Sequence, residues 1–306
     1  MKSIAGTLAA PFPYFGGKSN ACELVWSLLG QPDNYVEPFA GSAAMILGRP
    51  DCGGVETIND FDGFVANFWR AISKDPSLVA FHADWPVNEA DLLARHSWLV
   101  RQTESLREAL HDPDYYDAKI AGWWCWGACN WIGSGWCSGS GPWVWDGEKI
   151  VDSRKLPHLS AGRGEYIAEW FNLLYARLRD VRVACGDWKR VCKDSVTTRH
   201  GLTGIFLDPP YDKGAMDYGA GGMGLGISAQ VREWCAANGD NKQLRIVICG
   251  HAGEHDDLLR LGWKLHTWTA GKGYALTDEA KENSSSETVW ASPHCLSATN
   301  TQDALF

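Results

Sequence analysis

The chain has no apolar run approaching the roughly 18 residues a membrane-spanning helix needs, so no such helix is expected. Its ten cysteines include no C-x-x-C pair, which removes the commonest zinc and thiol-redox signatures. Cys125, Cys129 and Cys137, or Cys249 with His251 and His255, lack a second close pair at zinc-site spacing, and no metal is expected. Cys22, Cys185, Cys192, Cys235 and Cys249 sit in apolar contexts where thiols pack as small hydrophobes, which suits a reducing cytoplasm. The opening MKSIAGTLAAPFP is too short and too weakly apolar to read as a signal peptide. Repeats, long linkers and a Walker phosphate loop are missing, which argues against a triphosphate site. No G-x-G-x-x-G joins the first strand to its helix, which argues against a dinucleotide.

What is present is a soluble globular composition, 45% hydrophobic and 21% charged over 306 residues. That length holds one large domain with an insertion, or two modest ones. The net charge of -9 argues against a protein that coats nucleic acid nonspecifically. Residues 149 to 199 nevertheless carry eleven Lys/Arg against six acids, a local +5 that leaves -14 for the remainder. A basic face on an acidic body suits a DNA enzyme that turns over, and a solvated helix face explains part of it equally well.

Apolar runs at 34 to 39, 55 to 59, 180 to 185, 202 to 207, 244 to 249, 263 to 268 and 286 to 292 predict strands. Helical patterns fall at 19 to 29, 42 to 48, 62 to 73, 165 to 179, 228 to 238 and 253 to 260. The alternation predicts an α/β fold, a mostly parallel sheet with helical crossovers. It breaks between 74 and 164, where 88 to 111 reads as a helix and GWWCWGACNWIGSGWCSGSGPWVWDGEKI shows no helical period. This region is expected to be an inserted domain with a hairpin or long loop. Its seven tryptophans, Trp123 to Trp145, suit a core of its own slightly better than a base-stacking surface. YGAGGMGLG, 218 to 226, reads as a mobile flap.

Chemistry concentrates at strand ends. In GIFLDPPYD, 204 to 212, Pro209 and Pro210 stop a buried strand and leave Asp208 at its carboxyl end, the edge where open α/β sheets bind ligands. EPFAGSAA, 37 to 44, follows the first strand with small residues that allow close backbone approach. Some 20 residues later IND ends the second strand in Asp60, a position from which a carboxylate accepts ribose hydroxyls. These describe a nucleoside pocket without a phosphate cradle, which S-adenosylmethionine fits.

PFPYFGGK, YVEPFAGSAA, TINDFD, ACGDW and FLDPPYD occur in the order seen in Dam-type (alpha-class) N6-adenine DNA methyltransferases, and ENSSSETVWASP resembles that family's last strand. The resemblance covers about 1 to 73 and 165 to 293. It implies a Rossmann-like, seven-stranded, mostly parallel sheet of the class I S-adenosylmethionine methyltransferase type. Residues 1–73 and 165–306 would form the cofactor-binding catalytic domain, and 74–164 an inserted target recognition domain that binds double-stranded DNA. By the same resemblance Tyr14 and Lys18 contact the methionine part of the cofactor, Phe39 and Gly41 form the turn beneath it, and Asp60 holds the ribose. Asp187 and Trp188 flank the adenine, and Asp208, Pro209, Pro210 and Tyr211 are the catalytic motif, with Tyr211 stacking on a base rotated out of the duplex.

The family's GATC-reading hairpin has its nearest counterpart in CNWIGSGWC, which keeps Asn130 and Trp136 as DNA-contact candidates but has Cys129 where an Arg would read guanine. A different or relaxed target is therefore expected. N4-cytosine methylation uses the same amine chemistry, but Asp208, where that class usually carries Ser, tilts the choice to adenine. A DNA-binding regulator on a retired methyltransferase fold is the other alternative, against which the intact Lys18, Asp60 and Asp208 speak. The ending QDALF resembles sliding-clamp docking peptides, with Gln302, Leu305 and Phe306 as the contacts, and a fold-back of Leu305 and Phe306 onto the body weighs equally.

Overall fold

Successive strand residues point to opposite faces, so strands that are apolar on both faces need cover on both. The computed structural model describes residues 8–14, 18–131, 136–137, 165–211, 226–267 and 287–297. Among them, β1 (Asn34–Glu37), β2 (Val55–Asp60), β3 (Arg182–Cys185), β4 (Thr203–Leu207), β5 (Leu244–His251), β6 (Lys264–Thr267) and β7 (Glu287–Ala291) form one sheet, ordered β3-β2-β1-β4-β5-β7-β6. β1 to β5 pair in parallel, and β7 runs antiparallel between β5 and β6. The chain is thus an α/β protein with a mixed, mostly parallel sheet, compatible with a Rossmann-like fold. Every strand expected from the sequence is present, with ends displaced by at most two residues.

The alternation splits the core. Phe206, Val247, Cys249, Val289 and Ala291 join one apolar cluster, while Ile205, Leu207, Ile246, Ile248 and Trp290 join the other. The first face is covered by α1 (Cys22–Leu29), α2 (Ala44–Leu47), α3 (Gly63–Ile72), α6 (Ala118–Asn130) and α7 (Glu165–Leu178). α8 (Ile227–Asn238) and the 3-10 segment Asp256–Leu261 cover the second. α4 (Pro76–Ala83) and α5 (Glu89–Ala109) add Val79, Ala80, Ala83, Leu99 and Leu106 to the first cluster, so helices from the 74–164 region share one core with the sheet.

These helices start where side chains satisfy orphan amides. Asp75 precedes α4 and Asn88 precedes α5; each accepts a first-turn N–H, from Leu78 (3.0 Å) and Asp91 (2.8 Å). Asp117 caps α6 through Ile120 N and is gripped by Asn67 of α3, which donates to its carbonyl (2.9 Å) and accepts its amide (2.8 Å). Helix α6 is a correction: residues 122 to 130, expected within a hairpin or loop, are helical. Their period is hidden because Ile120, Ala121, Trp124, Cys125, Trp126, Cys129 and Asn130 are all buried, leaving no polar stripe to mark one face.

An ion cluster fastens α7 to the sheet. Arg177 donates to both oxygens of Glu56 on β2 (2.7 and 2.8 Å) and to Ile46 O, while Arg49 donates to Glu56 (2.9 Å) and Pro32 O (3.0 Å). All three side chains are under 10% exposed. Among the described residues no helix is long and apolar enough to cross a membrane, and no group of three or more His, Cys, Asp or Glu could hold a metal ion. The Gly-rich stretch 218 to 225, Gly133, Gly135, Trp143, Trp145 and the tail with Gln302, Leu305 and Phe306 lie outside the described residues.

Candidate active site

The strand order reverses at β1: the chain moves outward through β2 and β3 on one side, then resumes with β4 and β5 on the other. Such a switch point opens a crevice at the carboxyl ends of the two central strands. Glu37 ends β1, Asp60 ends β2 and Asp208 follows β4, so three carboxyl groups share this edge.

Asp208 is held on two sides. Lys18 Nζ lies 3.3 Å from its Oδ2, and the Tyr211 hydroxyl donates to Oδ1 (3.1 Å). Burial raises its pKa, and the Lys18 charge and both hydrogen bonds work against that, favouring the carboxylate. The Lys18 ammonium also stands 5.2 Å from the Tyr211 ring centroid. Pro209 is buried and fixes the turn in which Asp208 sits; Pro210 is half-buried beside it.

Lys18 reaches the site because the segment before it is anchored. Phe12 packs against Phe68, Trp69 and Trp124, with ring centroids 4.8–5.7 Å away. The Cys129 thiol donates to Pro11 O (3.0 Å) and Trp170 Nε1 to Ala9 O (3.2 Å). Tyr14 then lies over Gly41, where a Cβ would come within 2.3 Å of its ring, and Gly41 also has φ +46°. Glycine is required there on both counts.

The loop after β1 is tied to the β2 end. Gly41 N and Asp62 N each donate to the Asp60 carboxyl (2.8 Å), and Trp69 Nε1 donates to Gly41 O (2.9 Å). Burial pushes the Asp60 carboxyl up to about 7, and Asp62 adds to the rise. Asn59, absent from the residues singled out by sequence, donates to Pro38 O and Gly186 O (both 2.9 Å) and so joins the ends of β1, β2 and β3. Its position in IND, buried beside the acid, was the available signal. Gly186 N closes the set by donating to Asp60 O. Asp187 is exposed and accepts from Lys189 N (2.8 Å), Trp188 is buried, and Phe39 lies 6.1 Å from the Trp188 ring. The neighbour of Asp60, Phe61, exposes 48% of its surface.

Tyr14, Gly41 and Asp60 thus form one connected group, to which Asn59 and Gly186 join Asp187, Trp188 and Phe39. Lys18, Asp208 and Tyr211 form a second. Asn130 and Trp136 belong to neither. Asn130 is buried and donates back to Trp126 O. Trp136 lies on Gly127 so closely that a Cβ there would meet its ring at 1.8 Å, and its Nε1 donates to Trp124 O (3.0 Å). Trp136→Ala is therefore expected to cost about 3 kcal/mol, read by thermal unfolding. A variant of wild-type stability would instead show that Trp136 contributes nothing to the core.

Glu37 was read only as part of a motif. It accepts from the Tyr35 hydroxyl (3.1 Å) and Ile46 N (3.2 Å), and burial pushes its carboxyl up to about 8 against those bonds, with Asp208 adding to the rise. Its folded value lies above its unfolded one, so its contribution to stability is complete below about 4.5 and is lost as pH rises to about 8. Glu37→Gln, which cannot ionise, is expected to flatten the fall in melting temperature between about pH 4.5 and about pH 8. Parallel curves for variant and wild type would show that Glu37 does not titrate in that window.

Neither a protein-family model nor a curated protein matches this chain.

Proposed function

We propose that the protein is an S-adenosylmethionine-dependent DNA methyltransferase that modifies the N6 amine of an adenine turned out of the duplex. The observation that carries this is Asp208: a carboxylate steadied by Lys18 and Tyr211 in an Asp-Pro-Pro-Tyr turn, at the carboxyl edge of β4 beside the switch point. An adenine amine is a poor nucleophile because its lone pair is delocalised into the ring. Hydrogen bonds from the amine to the Asp208 carboxylate and the Pro209 carbonyl favour a tetrahedral nitrogen and localise that pair. The carboxylate also meets the positive charge that grows on the nitrogen, and the site's burial makes that interaction worth more than in water. Tyr211 offers a ring for the extruded base.

The residues present fit the cofactor. Asp60 ends β2 with its carboxyl turned to the Gly41 backbone, an exposed Phe61 ring adjoins it, and the exposed Asp187 carboxylate follows β3. A carboxylate, an apolar ring and a glycine turn with no phosphate cradle suit an uncharged nucleoside. Tyr14, Lys18, Phe39, Gly41, Asp60, Asp187 and Trp188 would hold it. When bound, S-adenosylmethionine supplies an electrophilic methyl group on a sulfonium. The 74–164 region is assigned to DNA reading.

The test is incubation of purified protein with unmethylated duplex DNA and methyl-labelled cofactor, followed by nucleoside analysis. Label in N6-methyladenine is expected. Label in N4-methylcytosine would transfer the assignment to the cytosine amine, and unlabelled DNA would overturn it.

A further inference from the structure

β4 and β5 pair in parallel with Leu207 opposite Ile248, so Asp208 and His251 leave neighbouring strands at the same edge of the sheet. The turn after β5 is pinned. Glu254 accepts from His251 N (3.0 Å) and from the Ser228 hydroxyl at the start of α8, and Arg232 of α8 donates to the Glu254 carbonyl (2.8 Å). His251 is thereby presented to the Asp-Pro-Pro-Tyr turn: its ring meets the Tyr211 ring edge-on, centroids 4.6 Å apart at 65°.

That contact alone does not call for histidine. A phenylalanine would give the same edge-to-face packing without a polar atom to desolvate. Yet the buried Nδ1 of His251 has no hydrogen-bond partner, and an unsatisfied buried polar atom is retained against a free-energy cost. Tyr211 and Lys18 both engage the Asp208 carboxyl, and the His251 ring nitrogen is left for something that enters beside Tyr211.

We propose that His251 is a second polar contact to the nucleobase that Asp208 receives, made through Nδ1, while its ring edge sets the angle of Tyr211. This rests on the methyltransferase assignment and adds a recognition residue to it. Side-chain geometry supplies a sharp test, because Asn carries a polar atom where Nδ1 lies, one bond beyond Cγ, whereas Gln carries its polar atoms nearer the Nε2 position. Steady-state methyl transfer to DNA would be measured for wild type, His251→Asn, His251→Gln and His251→Phe, with melting temperatures alongside.

His251→Phe is expected to lose about 10-fold or more in kcat/KM while melting at or above the wild-type temperature, because a site built to hydrogen-bond a polar edge suffers when the bond is missing. His251→Asn is expected to stay within about 3-fold of wild type, and His251→Gln to fall with the Phe variant. A Phe variant as active as wild type would reduce His251 to packing and overturn the proposal, as would equal loss in all three variants with lowered melting temperatures. Absence of transfer by the wild type would overturn both this and the assignment beneath it; transfer by the wild type confines any failure to His251.

Discussion

Asp208→Asn lowers methyl transfer by about 100-fold or more while S-adenosylmethionine binds within a few-fold of its wild-type affinity: this is the result expected if the carboxylate acts on the amine in the transition state. The asparagine keeps the volume and one acceptor oxygen, so what it removes is the charge. Asp208→Ala is expected to be at least as inactive, but it also takes away the group that Lys18 is paired with, and a loss of position would then be mixed with a loss of chemistry. Single-turnover rates and calorimetric cofactor binding separate the two. An Asn variant turning over at the wild-type rate would remove Asp208 from the reaction.

The second large effect is structural. Glu56 is the shared acceptor of Arg49 and Arg177, and truncation to Ala strands two buried guanidinium groups at once. Breaking a buried pair in this way costs about 3–5 kcal/mol, because the desolvated charge persists without its partner. Glu56→Ala is therefore expected to lower the melting temperature by roughly 5–8 °C, with kcat little changed at low temperature. The arrangement explains the direction: burial lowers the Arg177 pKa, and the hydrogen bonds and charge of Glu56 more than reverse it. A change of under about 1 kcal/mol would show that water replaces the carboxylate without penalty.

The sheet was legible because its strands are apolar runs closed by acids, glycines or prolines, as in TGIFL before Asp208 or VETIND with its terminal Asp60. Both patterns are local, and so is their message. Helix α4 was not expected from the sequence: Asp75 caps it and Pro76 stands in its first turn, but its short apolar body shows no clear stripe. Helix α6 could not announce itself, since Trp124, Cys125, Trp126 and Cys129 face neighbours in several directions. At the site, Asp208, Asp60 and Gly41 stood out through their motifs. Asn59, Glu37 and His251 did not, because their importance lies in partners far along the chain: Asn59 meets Gly186, 127 residues away. Lys18 was visible as a motif residue, but its ion pair with Asp208 follows only from the packing of Phe12 among Phe68, Trp69 and Trp124.

The switch point beside β1 also has a bearing on biosynthesis. One edge of β1 is satisfied early, by β2, but the other pairs Asn34 with Thr203 of β4. At translation rates of about 5–20 residues per second, β1 waits roughly 10–30 s for that partner to be made. Throughout that interval a strand whose four residues all end up buried presents its unpaired amides and carbonyls. A nascent chain arrested between β2 and β4 should accordingly bind general chaperones, and release from them should coincide with emergence of the TGIFL strand from the ribosome.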